Sequence, residues 1–327
     1  MIVQRERTMW DDDESSGREY APVTPGPEGW IIAKLRCSMG NSELAPKRRI
    51  ELLQMHLRRA TRKGQLHLVC ALVDVAGADP NARDAQNRSM IQLAAEAGHS
   101  QIITALAHRG ADVDAAGSRA QTALYLVVCR DNAACAEALL AAGASVGTLT
   151  HGLGPLHWCA LWGSAAVAQV LVRAGAPLDT LDVRGMAALH WAASGCGGGR
   201  TEDVVRLLVS AGADINAAGR GGWTPLHVGC ACVRPNLVEL LLLLGADESR
   251  TTTASETPAH VVGLGRAWVG RAGAGTGAGT GVGTSQVDTA EERIRVALHR
   301  APADRADRAW GRRGWLVLLR TKSAELE

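Results

Sequence analysis

Gly221-Gly222-Trp223-Thr224-Pro225-Leu226-His227 opens a stretch that closes with Val238-Glu239-Leu240-Leu241-Leu242-Leu243-Leu244-Gly245-Ala246-Asp247. Its opening residues read as a tight turn running into a helix. Pro225 suits the first helical position, where its missing N–H would have no intrahelical acceptor anyway. The leucine-rich run gives a second helix, and Gly245 falls where a helix C-terminus takes a left-handed residue. One such unit has an apolar face that it cannot bury alone, so copies of it are required.

The copies are present. Gly154-Pro155-Leu156-His157 precedes Gly175 by the same 21 residues that separate Thr224 from Gly245. Ser89-Met90-Ile91-Gln92 stands in that relation to Gly110, and Thr122-Ala123-Leu124-Tyr125 to Gly143. Ala187-Ala188-Leu189-His190 leads to Gly212 with four extra residues between them, and Thr257-Pro258-Ala259-His260 starts another copy. The steps from Ser89 through Thr122, Gly154, Ala187 and Thr224 to Thr257 are 33, 32, 33, 37 and 33.

On these residues the chain resembles the ankyrin-repeat family, whose 33-residue unit carries a T-P-L-H-x-A signature. The resemblance runs from about Pro46 to Arg300. It implies an all-α solenoid of helix-turn-helix units joined by short β-hairpin-like loops, with six repeats and the start of a seventh over 46–262. It also implies that Leu156, His157, Leu189, His190, Thr224, Pro225, Leu226, His227, Thr257, Pro258 and His260 are structural. In the family the histidine hydrogen-bonds backbone between neighbouring hairpins. Gln92 and Tyr125 depart from the pattern at that position, which leaves the histidine ladder open in the second and third repeats.

The outer segments differ in composition. Residues 1–45 carry Asp11-Asp12-Asp13-Glu14 and scattered prolines without periodicity, which predicts a disordered tail. Lys47, Arg48, Arg49, Arg58, Arg59, Arg62 and Lys63 surround the apolar positions Ile50, Leu53 and Leu57. That is what a terminal repeat needs to meet water on one side, and an anionic-ligand patch is the functional alternative. Residues 263–286 are glycine-rich and predict a flexible insertion. Residues 287–301 predict a helix that completes the seventh repeat, and 302–327 a basic cap or tail containing Trp310, Trp315 and Leu318.

Composition excludes several classes. The 327 residues are 46% hydrophobic and 21% charged, which is ordinary globular material with ample apolar content for a core. A net charge of +2 argues against a dedicated nucleic-acid binder, and the run Leu240–Leu244 is far too short to span a bilayer. The N-terminal residues have no apolar run behind them, so no secretory signal is expected. Eight cysteines, mostly at small-residue positions, suit reduced thiols in an intracellular compartment, cytoplasmic, nuclear or both.

No catalytic, cofactor or metal site is expected. One histidine per repeat is strung along the array, so its copies cannot converge on a metal or pair with a nucleophile. Cys230-x-Cys232 lacks the spacing of a zinc or thioredoxin motif, and the glycine clusters lack the Gly-Lys-Ser/Thr ending of a P-loop.

What remains is surface. The resemblance implies binding through hairpin tips and the exposed end of each first helix, which line a concave groove. The position before the threonine is Arg88, Gln121, Leu153, Met186 and Trp223; the far end of the first helix offers Arg130 and Trp162. Exposed Trp and Met there are the residue types that anchor partners. Trp158 and Trp191, each following the histidine, are expected to pack side by side between helices, and Arg119, Arg184 and Arg220 to lie on hairpin tips. The expectation is a monomeric, non-catalytic scaffold or adaptor that binds another protein through Arg88, Gln121, Arg130, Leu153, Trp162, Met186 and Trp223. Two alternatives stand beside it: a regulatory adaptor, such as a ubiquitin-ligase substrate receptor acting through the C-terminal segment, and a less favoured binder of nucleic acid or lipid.

Overall fold

The computed structural model describes residues 46–117, 120–147, 149–195, 200–264 and 289–302. The expected tail 1–45, nearly all of the insertion 263–286 and the segment beyond 302 lie outside the described residues, as does Arg119.

Helices come in antiparallel pairs. These are α1 (Pro46–Lys63) with α2 (Leu66–Asp74), α3 (Met90–Ala97) with α4 (Ser100–Ala107), and α5 (Ala123–Arg130) with α6 (Ala133–Ala141). They continue as α7 (Pro155–Trp162) with α8 (Ala165–Arg173), α9 (Ala188–Ser194) with α10 (Thr201–Ser210), and α11 (Pro225–Ala231) with α12 (Pro235–Leu244). First helices pack on first helices and second on second along the whole array, which makes an all-α solenoid. Among the described residues the only β-type pairings are isolated bridges at two hairpins, Arg83 with Ser89 and Thr150 with Leu153.

The core follows the repeat. Ile103, Leu139, Leu171, Leu208 and Leu241 on the second helices are fully buried, each worth about 1.5–3 kcal/mol of transfer free energy. Ala94, Ala95, Cys159, Ala160, Ala192 and Ala193 are fully buried on the first helices, where small side chains let neighbouring backbones approach. Gly245 closes α12 at φ 104°, the left-handed conformation its position called for.

The hairpins between repeats share a closing backbone bond. The N–H groups of Asp84, Gly117, Thr150, Asp182, Gly219 and Thr252 donate to the carbonyls of Arg88, Gln121, Leu153, Met186, Trp223 and Glu256 at 2.7–3.0 Å. Later hairpins are also joined to each other, Arg220 N–H to the Gly185 carbonyl and Thr253 N–H to the Gly221 carbonyl. Gly222 makes the second contact possible: its φ is 74°, and a Cβ there would lie 3.2 Å from the Thr252 Cα.

A second ladder runs through the loops after the second helices. The N–H groups of Asp112, Ser145, Asp214 and Asp247 donate to side-chain oxygens of Asn81, Asp114, Asp179 and Asn216 in the preceding repeat, at 2.7–3.2 Å. Short acceptors one repeat back thus satisfy backbone donors that these loops would otherwise leave unpaired.

Residues 258–264 form turns, and residues 289–302 form a helix, α13. Its Ile294, Leu298 and Ala301 are buried in the core together with Val261. Arg293 reaches Glu239 at 2.9 Å on α12, but such an exposed pair contributes little, so the apolar face is what holds α13.

Candidate protein-binding face

The structural motif residues set the geometry of the face. Thr224 Oγ1 accepts from the His227 N–H at 3.4 Å, and the Thr224 N–H donates to His227 Nδ1 at 3.2 Å. An Nδ1 that accepts leaves the ring proton on Nε2, which donates to the Glu256 carbonyl at 3.1 Å, one hairpin on. His190 repeats this with the Ala187 N–H and the Trp223 carbonyl, and His157 with the Gly154 N–H and the Met186 carbonyl. Burial, partly offset by these backbone bonds, pulls all three imidazoles below their ordinary pKa. His260 makes the first half of the pattern, accepting from the Thr257 N–H at 3.3 Å, but is exposed.

Gln92 does not break the ladder. Its Oε1 accepts from the Ser89 N–H at 2.9 Å, and its Nε2 donates to the carbonyls of Gln121 at 2.5 Å and Ala115 at 3.1 Å. The carboxamide reproduces both ends of a neutral imidazole, because it too carries one acceptor and one donor.

The row before the threonine is therefore first of all a row of carbonyls. Gln121, Met186, Trp223 and Glu256 each accept both from their own hairpin and from the preceding repeat. This corrects two of the expected groove residues. Leu153 and Met186 are only 7% and 6% exposed and cannot stand as open anchors. The hairpin turns them inward: Met186 Sδ lies so close under the next hairpin that a Cβ on Gly219 would meet it at 2.8 Å. Trp223 is half-buried against the core. Arg88 is held by Asp84 at 2.8 Å and by Glu96 at 2.6 Å, and Arg130 stands 3.6 Å from Glu96. Gln121 is half-buried. Trp162 is the exposed aromatic among the expected residues, at 37%.

The structure adds a group that repeat register alone did not reveal. Tyr125 meets Trp158 edge-on, with ring centroids 4.8 Å apart, and His151 lies 6.3 Å from Tyr125 and 6.2 Å from Trp158. Such geometry suits aromatic quadrupoles. Trp158 is half-buried, with its Nε1–H donating to the Thr150 carbonyl at 3.1 Å, and Trp162 follows it one helical turn along α7. The available signal was the aromatic at the histidine position of the third repeat together with a histidine on the next hairpin tip. Leu149 is exposed on the hairpin before α7, and Leu181 and Val183 on the hairpin before α9.

Trp191 differs from Trp158. It is buried, its Nε1–H donates to Asp182 Oδ2 at 2.9 Å, and the Arg184 guanidinium covers its ring at 5.5 Å. Arg184 is thus partly committed to packing. Cys230 is buried, and burial pushes its thiol up to about 12, which removes it as a nucleophile at neutral pH. Among the described residues no three His, Cys, Asp or Glu side chains are grouped as metal ligands, and no helix is long and apolar enough to cross a membrane.

Comparison with known proteins places the architecture. The family model for ankyrin repeats, in three copies, matches residues 57–150 and 156–252, more than half of the sequence. The chain belongs to the ankyrin-repeat family. Ankyrin repeats generally mediate protein–protein interaction. The human Ankyrin repeat and SOCS box protein 16 is 32% identical over 208 residues, covering 51% of this chain and 46% of that protein. The mouse Protein phosphatase 1 regulatory subunit 27 is 39% identical over 85 residues, covering 26% of this chain and 53% of its own. The chain thus spans about half the length of these curated relatives. The crystal structure of the ankyrin repeat domain of Bcl-3 superimposes with a TM-score of 0.56 at 27% identity, over 63% of this chain and 93% of that one. The human ASB11 ankyrin repeat domain gives 0.55 at 23% identity, a likeness of fold.

Proposed function

We propose that this chain is a non-catalytic scaffold or adaptor that holds an apolar segment of another protein against Tyr125, His151, Trp158 and Trp162. The observation that carries the reading is a cluster of aromatic side chains, Tyr125 and Trp158 half-buried and His151 exposed, at the hairpin face of α7 beside the exposed Trp162, with Leu149, Leu181 and Val183 exposed on the hairpins before α7 and α9. A folded chain hides such side chains unless something else covers them, and Trp and Tyr in a desolvated centre supply most of the energy of an interface. Arg88, Glu96 and Arg130 form an ion-paired border toward the N-terminal repeats, suited to orientation more than to affinity.

The test has two stages. Affinity capture and mass spectrometry with the full chain identify a partner, and the dissociation constant for that partner is then measured with Trp162→Ala. The expected result is a loss of about tenfold or more, with unchanged helical circular dichroism. A folded Trp162→Ala protein that binds its partner as the parent does removes this reading. A second reading, a regulatory adaptor acting through residues 302–327, is favoured by the similarity to a protein named for a SOCS box. Deleting 302–327 then abolishes one set of partners while leaving the Trp162-dependent one.

A further inference from the structure

Seven of the eight charged residues of α1 are basic, so the helix does not neutralise itself. Its last two turns and the first hairpin enclose an open cleft of about 460 Å³. Arg58, Arg59, Arg62 and Lys63 line one side at helical spacings of three and four, which puts all four cations on one face. Asp84 and Gln86 line the other.

Among the described residues those cations are only thinly partnered: Arg58 Nη2 donates to Gln54 Oε1 at a long 3.4 Å. Asp84 is the one carboxylate in the lining, and it is already committed: its Oδ1 accepts from the N–H groups of Gln86 and Arg88 at 2.9 and 2.8 Å, and its Oδ2 takes Arg88 Nε at 2.9 Å. Arg62 reaches it only at 3.4 Å. Arg58 Nε is buried without a hydrogen-bond partner, although a guanidinium N–H removed from water needs one. Arg59 and Lys63 form no ion pair among the described residues. A helix end and a polar terminal repeat account for basic side chains here, but not for a part-buried guanidinium beside an open cleft whose Nε has no partner among the described residues.

We propose that this cleft binds an acidic peptide segment of a partner protein, with adjacent Asp or Glu side chains engaging Arg58 with Arg62 and Arg59 with Lys63. Guanidinium forks match separate planar carboxylates. Met55 and Ala85 add apolar lining that suits the carbon skeleton of a peptide, and Gln86 offers an amide to its backbone. The cleft stands apart from the aromatic face, and the two sites are tested independently.

Fluorescence anisotropy on the full chain decides the matter, with a labelled peptide carrying four Asp or Glu residues around one leucine as the probe. Its Asn/Gln twin, inorganic phosphate and a short DNA duplex serve as competitors. The expected result is binding of the acidic probe and not of the twin, and a loss of about tenfold or more for Arg59→Glu with Lys63→Glu. Arg59→Gln with Lys63→Gln gives a smaller loss in the same direction. Arg48→Glu, an exposed charge reversal at the far end of α1, leaves binding within about twofold. Circular dichroism confirms each fold. Four outcomes overturn the proposal: undiminished binding by the folded double variant; an equal loss from Arg48→Glu, which makes the effect one of net charge; competition by phosphate or duplex as strong as by the peptide; or a tenfold gain on neutralising Asp11, Asp12, Asp13 and Glu14, which makes the chain's own acidic run the occupant.

Discussion

Asp182→Ala lowers the unfolding free energy by about 3 kcal/mol in urea denaturation, out of a total that for single domains is on the order of 5–15 kcal/mol. Asp182 is buried, and its carboxylate is the hub of the fifth hairpin. Oδ1 accepts from the N–H groups of Arg184 and Met186, both at 2.8 Å, and Oδ2 accepts from Trp191 Nε1 at 2.9 Å. Alanine leaves three donors without their acceptor, one of them on a buried indole. A hydrogen bond to a charged group contributes about 1.5–3 kcal/mol, and losses within one network are not additive, so the total falls well short of three full bonds. Thr252 plays the same part in its hairpin through a neutral hydroxyl, accepting from Ala254 and Glu256 at 3.3 Å, and Thr252→Val costs less. A loss below about 1 kcal/mol for Asp182→Ala shows that the hairpin is held by its backbone bonds alone.

Acid destabilisation between pH 7.5 and 5.5 is the second large effect. His157, His190 and His227 have folded pKa values below the ordinary 6.5, because burial disfavours the charged ring. Well above 6.5 both states are neutral and the ladder is intact. Below it the unfolded chain takes up protons that the folded chain refuses, so stability falls with pH until the folded values are reached. Asp74 and Asp84 are held below 3.8 and titrate outside this window; for Asp84, burial acts to raise the carboxyl, but the bonds and charge of Arg88 outweigh it. His190→Gln, which copies the arrangement at Gln92, reduces the acid slope by about a third, since three imidazoles share it. The readout is the urea midpoint of parent and variant across that range. An unchanged slope places the acid sensitivity elsewhere.

Much of the fold is legible in the sequence because each repeat restates the same local chemistry. Pro225 at a helix start, Gly245 at a helix end and leucines at helical spacing are short-range signals, and their recurrence places the helix pairs. The histidine at a fixed place in the unit follows equally, since its partners lie on adjacent hairpins at one repeat's distance. Gln92 shows where a rule tied to one residue type is too narrow: the position needs an acceptor on one side and a donor on the other, which two kinds of side chain supply.

The candidate face was legible only in part. Sequence position identifies which residues sit at the tip of a hairpin and the end of a first helix, and Trp162 was found that way. Whether a side chain at such a place is open to solvent depends on the next hairpin. Met186 is turned under the next hairpin and Leu153 is buried in the core, whereas Val183 stands open. Tyr125, His151 and Trp158 come from two different repeats, and their edge-on contacts depend on how far one repeat is rotated against the next.

By itself, then, the sequence determined the repeat, the helix ends, the capping roles and the aliphatic core, because those interactions reach no further than one unit and its neighbour. Only the tertiary structure decided which tips are buried, which aromatics gather, and that the basic face of α1 meets the first hairpin in a cleft. Each depends on the relative placement of two elements, and burial and charge there follow from what the opposing surface supplies.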